Sequence, residues 1–140
     1  MILIDTNVIF EPLRAAPHQQ VVAWLDAQPV DTLFLSVATV AELRLGVMRL
    51  PAGHRRNLLI EQLESRVLPA FTGRVLPLDL AGTQRYAEAM AQAQAKGLSV
   101  SVADGFIAAT AAANNTSVAT RDTAPFIAMG LAVINPWLAM

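Results

Sequence analysis

A chain of 140 residues, 54% of them hydrophobic and 15% charged, is long enough to bury a core and too apolar to stay disordered. Its net charge of −1 excludes a nucleic-acid binder that works by bulk charge, and its lack of cysteine excludes disulfides and thiolate metal sites. No apolar run approaches the roughly 20 residues of a membrane span, and "MILID" lacks the basic leader of a signal peptide, so a soluble, cytoplasmic chain is expected.

In chain order, "MILID" is a short continuous apolar run, the pattern of a central parallel strand. A short helix follows through Arg14. Residues 18–28 place Val21, Val22, Trp24 and Leu25 at helical spacing until Pro29 stops them. "TLFLS" (32–36) predicts a second strand, and Ser36 or Thr39 caps the helix "TVAELRLGVMRL". A helix is expected over about 54–68, ended by Pro69. "RVLPL" (74–78) predicts a third strand that its proline pushes towards the sheet edge. Asp79 caps an Ala/Gln-rich helix that Gly97 closes. Residues 101–115 predict a helix buried on most sides; 117–120 and 131–135 predict the fourth and fifth strands. Strands alternating with helices mean an α/β chain: a parallel sheet of four to five strands in a three-layer α/β/α arrangement, one domain over 1–140.

The acids fall into two populations. Glu11, Asp26, Asp31, Glu61, Glu64, Asp79 and Glu88 lie on polar faces, at caps or near turns. Asp5, Glu42, Asp104 and Asp122 do not: each interrupts or terminates an apolar segment. Asp5 and Asp122 come off strand ends, and Glu42 and Asp104 sit a few residues into helices that start at the same edge. In parallel sheets that edge is where ligands bind. Taken singly, Asp5 reads as a helix cap, Asp104 as an arginine partner, and Thr120-Arg121-Asp122 as an ordinary turn. Taken together they read as a carboxylate cluster, whose all-oxygen donors select a hard cation, Mg²⁺ or Mn²⁺. Such a cation activates water against a phosphodiester. Thr6 and Thr120 are then placed to orient a water or a phosphate oxygen, and Arg121 to contact substrate.

His18 and His54 have no second ligand at metal spacing and read as solvated. The tryptophans and phenylalanines read as core. Arg44, Arg49, Arg55 and Arg56 form a basic stripe beside Glu42, either solvated or available to phosphate. Nine of the ten cations are arginine, the residue suited to bidentate phosphate contact.

The motifs "LIDTNVI", "TVAELRLGV", "ADGFIAATA" and "VATRD" resemble, in order and spacing, those of PIN-domain ribonucleases, and within them the VapC toxins of toxin–antitoxin pairs, especially the FitB-like branch. The likeness runs through the whole chain, down to "NPW" near the C-terminus. It implies a Mg²⁺- or Mn²⁺-dependent endoribonuclease, usually a homodimer, with Asp5, Glu42, Asp104 and Asp122 at the four acidic positions. It also implies an RNA substrate and an antitoxin protein, a small DNA-binding partner that covers the active site. Many VapC proteins read T-R-N-x-x-D-F at the last motif. Here "TRDTAPF" puts Asp122 at the asparagine position and Pro125 where the later aspartate would be, as in FitB-like members. The alternative is a PIN-fold subunit that serves mainly in a DNA-binding repressor complex with its antitoxin and has little nuclease activity.

Overall fold

The computed structural model describes residues 1–139. Five parallel strands, β1 (Ile2–Ile4), β2 (Leu33–Ser36), β3 (Val75–Leu76), β4 (Ser117–Ala119) and β5 (Val133–Ile134), form one sheet in the order β3-β2-β1-β4-β5. Ile2 pairs with Leu33 on one side and with Ser117 on the other, so β1 is central, as its unbroken apolar run requires. The short β3 with Pro77 behind it lies at the edge, where a missing N–H is tolerated.

Alternation along β1 divides the core. Ile4 packs into one cluster with Leu35, Leu43, Val47, Leu59 and Leu63. Its neighbour Leu3 packs into a second with Ala93, Ile107, Ala111, Val118 and Phe126. Successive strand residues face opposite sides, so helices cover both faces of the sheet. The first cluster draws on α2 (Gln19–Ala27), α3 (Val37–Met48) and α4 (His54–Gln62). The second draws on α6 (Leu80–Ala95), α7 (Val102–Ala113) and α8 (Thr123–Ala128). The short α1 (Thr6–Phe10) leaves β1 directly and runs into a 3₁₀ turn over Glu11–Leu13. Among the described residues, no helix is long and apolar enough to cross a membrane.

Caps set where the helices begin. The Ser36 hydroxyl accepts the Thr39 N–H at 3.0 Å, so of the two expected caps Ser36 is the one used, and α3 starts at Val37. Ser101 accepts the Asp104 N–H at 3.1 Å and Asp79 the Gly82 N–H at 2.8 Å. Gly97, at φ 77°, takes the left-handed position beyond α6, where a side chain would be strained.

Two expectations fail here. Pro69 does not end the helix over 54–68. Residues Leu63–Val67 widen into a π-helical turn, and the chain continues into α5 (Leu68–Ala70) with Pro69 inside it. A π turn already departs from i→i−4 bonding, so the missing proline N–H and the ring's demand for space cost less there. Nor is Glu11 solvated: it is only 3% exposed, its carboxylate held by Arg14 at 3.2 Å.

Candidate active site

Asp5 is the first residue after β1 and the N-cap of α1. Its N–H still belongs to the sheet, donating to the Ala119 carbonyl at 2.9 Å. Its Oδ1 accepts the Thr6 N–H at 2.8 Å, and its Oδ2 accepts the Thr120 hydroxyl at 2.7 Å. The capping reading of Asp5 is therefore correct but incomplete: the second oxygen is tied to the neighbouring strand end, and Asp5 is 4% exposed.

Glu42 reaches the same place from the middle of α3, where its Oε1 accepts the Thr6 hydroxyl at 2.7 Å. Asp104 arrives in the first turn of α7, a position that the helix dipole favours for an anion. Asp5, Glu42 and Asp104 all line one cavity of about 450 Å³, with Thr6, Asn7 and the apolar Phe10, Leu43, Gly46 and Leu50. Asp122 is exposed and lies outside that lining, although its charge acts on Asp104. It occupies the N-cap position of α8 but makes no capping hydrogen bond, so capping does not explain it. Among the described residues, no ion pair engages any of the four, and Asp104 has no arginine partner.

The electrostatics follow from this crowding. Burial pushes the Asp5 carboxyl up to about 6; the charges of Asp104 and Glu42 add to the rise, and hydrogen bonds from Thr120 and Thr6 oppose it. Asp104 is also raised, first by burial, then by Glu42 and Asp122, against a Ser101 hydrogen bond. These carboxylates repel one another without cationic compensation. The geometry is looser than a ligand shell, however. Among the described residues, no group of three or more His, Cys, Asp or Glu side chains is gathered closely enough to hold a metal ion. Asp5 and Glu42 are instead held by neutral donors, the hydroxyls of Thr120 and Thr6. The donor set still fits a hard divalent cation: every candidate ligand is a carboxylate oxygen, and a positive charge among them would offset the repulsion that raises Asp5 and Asp104.

The substrate-contact readings divide. Thr6 lines the cavity, but its hydroxyl is donated to Glu42. Thr120 has no exposed surface. Its hydroxyl donates to Asp5 and accepts the Asp122 N–H at 3.1 Å, so it orients carboxylates and cannot touch substrate. Arg121 is exposed, with its guanidinium 4.9 Å from the centre of the Trp137 ring, a cation–π distance. Trp137 is therefore more than core filler. Of the basic stripe beside Glu42, only Arg44 has its charge paired, Arg55 and Arg56 meet neutral acceptors, and the Arg49 side chain has no hydrogen bond or ion pair among the described residues. Arg44 makes a two-pronged pair with Glu64 at 2.8 and 3.0 Å, Arg55 donates to the Leu13 carbonyl, and Arg56 turns to the Met48 sulfur.

From the sequence, Asn7 reads as no more than a cap competing with Asp5. Its Oδ1 accepts the Arg121 N–H at 3.2 Å while its Nδ2 approaches Asp5 Oδ2 at 3.4 Å. It thus ties the loop after β4 to the start of α1. The amide two residues after Asp5 in "DTN" is the available signal, but its target depends on β1 and β4 being neighbours.

With this geometry in view, the comparisons with known proteins agree on a family. The PIN domain family pattern matches residues 2–130. The chain is 56% identical to VapC ribonuclease Y4jK of Sinorhizobium fredii (strain NBRC 101917 / NGR234), over 98% of each chain. It is 51% identical to Toxin FitB of Neisseria gonorrhoeae (strain ATCC 700825 / FA 1090), over 98% of this chain and 99% of that one. A solved structure of FitAB bound to an IR36 DNA fragment superposes with a TM-score of 0.95 at 48% identity, covering 100% of this chain and 98% of that one. The five-stranded parallel sheet with its cluster of acids at the carboxyl edge is thus a PIN fold, and the chain belongs to the PIN-domain family, in its VapC and FitB group.

Proposed function

We propose that the protein is a Mg²⁺- or Mn²⁺-dependent endoribonuclease, the toxin of a toxin–antitoxin pair. The observation that carries this reading is the shared cavity of Asp5, Glu42 and Asp104, with Asp5 and Asp104 both held above the usual carboxylate range. PIN-domain ribonucleases are metal-dependent as a family. Asp5, Asp104 and Glu42 would hold the cation, with Asp122 as an outlying fourth acid. When bound, the cation supplies charge neutralisation on the phosphodiester and lowers the pKa of water for attack.

The chain's own residues do the rest. Thr120 and the Thr6 N–H fix both oxygens of Asp5, so that its orientation is set before substrate arrives. Thr6 fixes Glu42. The Phe10, Leu43 and Leu50 side of the cavity excludes water and strengthens the field of the carboxylates at the other end. Arg121, stacked over Trp137, would meet a phosphate of the incoming strand.

A relative's structure is named for FitAB on DNA. By that likeness we infer that this protein joins a DNA-bound complex as well as cleaving RNA; the family resemblance adds a small antitoxin as its DNA-binding partner and a homodimer as the toxin's own state. The purified chain without antitoxin is expected to cleave single-stranded RNA in Mn²⁺ or Mg²⁺ and to stop on chelation. Cleavage that survives chelation, or none in either metal, would overturn the reading.

A further inference from the structure

The acid cavity does not end at its apolar wall. A second cavity of about 400 Å³ shares Phe10 and Leu50 with it and is also lined by Arg14 and Arg55. The surface therefore runs from carboxylates, across an apolar shelf, to two guanidinium groups. We propose that this groove is a substrate track on which one nucleobase of single-stranded RNA, next to the cleaved bond, stacks on Phe10 over Gly46, and the adjoining phosphate meets Arg55. The proposal rests on the ribonuclease reading and adds the subsite that selects the flanking nucleotide.

Three observations carry it. Phe10 ends the five-residue α1 that Asp5 caps, its backbone about 7.5 Å of helical rise beyond that of Asp5, and both residues line the acid cavity, so a nucleotide next to the cleaved bond is within reach of the ring. Gly46 lies inside α3, one turn after Glu42, and a Cβ built there meets nothing within 4 Å. A glycine inside a helix is destabilising, and no packing demands this one; the space it leaves belongs to the groove. At the far end Arg14 spends its charge on the buried Glu11. Arg55 donates one N–H to the Leu13 carbonyl, and a guanidinium has five, so Arg55 is the net cation there. An acid-held cation for one phosphate, an aromatic shelf and then a cation is the order in which a polynucleotide presents phosphate, base and phosphate.

The test uses a short fluorescent RNA centred on a bond that the wild-type protein cleaves in a random-sequence RNA pool. Two further versions carry an abasic sugar on one or the other side of that bond. For wild type, one abasic version is expected to raise KM about 5- to 150-fold, the range of base–aromatic stacking, with kcat changing less. Gly46→Leu, which fills the shelf, and Phe10→Ala, with thermal unfolding followed because Phe10 packs on the core, should raise KM for the intact RNA and erase the abasic penalty. Arg55→Gln should reduce the slope of log KM against log salt by about 0.7, one phosphate contact on a single strand. Equal KM for intact and abasic RNA, or a penalty that persists in Gly46→Leu, overturns the track while leaving the ribonuclease standing. So do variants that leave RNA kinetics unchanged and weaken only the binding of a protein partner. Wild-type protein that cleaves no RNA overturns the ribonuclease reading and the track together.

Discussion

The Thr120 hydroxyl donates to Asp5 Oδ2 at 2.7 Å, joining the ends of two adjacent parallel strands through buried side chains. The same oxygen accepts the Asp122 N–H, so one hydroxyl positions the central carboxylate and the loop that carries the outlying one. Thr120→Val keeps the shape and removes the hydroxyl. It is expected to cost about 1–3 kcal/mol, because a buried carboxylate oxygen and a backbone N–H lose their partner. Asp5 would rise further in pKa, since the Thr120 bond is the largest influence holding it down. The onset of cleavage should therefore move to higher pH. Thr120→Ser should restore both; a pH–rate profile beside denaturant unfolding separates this role from simple packing.

Stability of the metal-free protein should depend on pH in a direction opposite to that of a salt-bridged carboxylate. Asp5 holds its proton up to about 6 when folded but only to 3.8 when unfolded. Between those values the folded state carries a proton that the unfolded state has lost, so rising pH favours unfolding. Above 6 the loss is complete, about 3 kcal/mol at 1.36 kcal/mol per pH unit; Asp104 acts in the same direction. Asp5→Asn should thus be more stable than wild type at neutral pH in chelator, with the advantage fading as pH falls from about 6 to 3.8. Urea titrations across that range check it, and a variant less stable than wild type at neutral pH would count against a buried, repelled carboxylate.

The placement of Asp104 depends on a close approach of α6 to α7. A Cβ at Gly105 would lie 2.7 Å from both the Met90 sulfur and the Tyr86 ring. Gly105→Ala should therefore force those side chains aside at about 1–3 kcal/mol and displace the turn that carries Asp104. Thermal unfolding together with metal titration of activity should show both losses. A stability equal to wild type would mean that the contact relaxes freely.

Asp122 lies outside the cavity and caps nothing. Asp122→Ala is expected to change stability by less than about 0.5 kcal/mol, as for an ordinary surface position. It should lower activity within the 10–100-fold range of outer groups and raise the metal concentration for half-maximal rate. An unshifted metal titration would leave a three-acid site.

The sheet, its order of elements and the helices on both faces were legible because short apolar runs alternate with amphipathic stretches and four of the helices, α1, α3, α6 and α7, begin at a polar cap. The acids that line the cavity were legible for a related reason: each is a charge in the wrong hydrophobic context. What could not be read depends on neighbours distant in the chain. Thr120 looked like a substrate contact because nothing in "VATRD" says that β1 lies beside it. The Arg121 N–H that Asn7 accepts is hidden from the local sequence for the same reason. Glu11 sits in a stretch that reads as a polar turn, and its burial comes from how the 3₁₀ turn folds back on Arg14. Pro69 does not end the helix because the turn before it, Leu63–Val67, is π-helical, and nothing in the local sequence announces that.

The proposed function requires that Asp5 and Asp104 together hold the cation used in RNA cleavage. Its most direct test is RNA cleavage by Asp5→Asn and Asp104→Asn beside wild type, in Mn²⁺, with folding checked by thermal unfolding. Both variants are expected to fold, to lose cleavage, and to lose the rise in Tm that the metal gives wild type by binding the folded state. Wild-type cleavage by either folded variant would contradict the account.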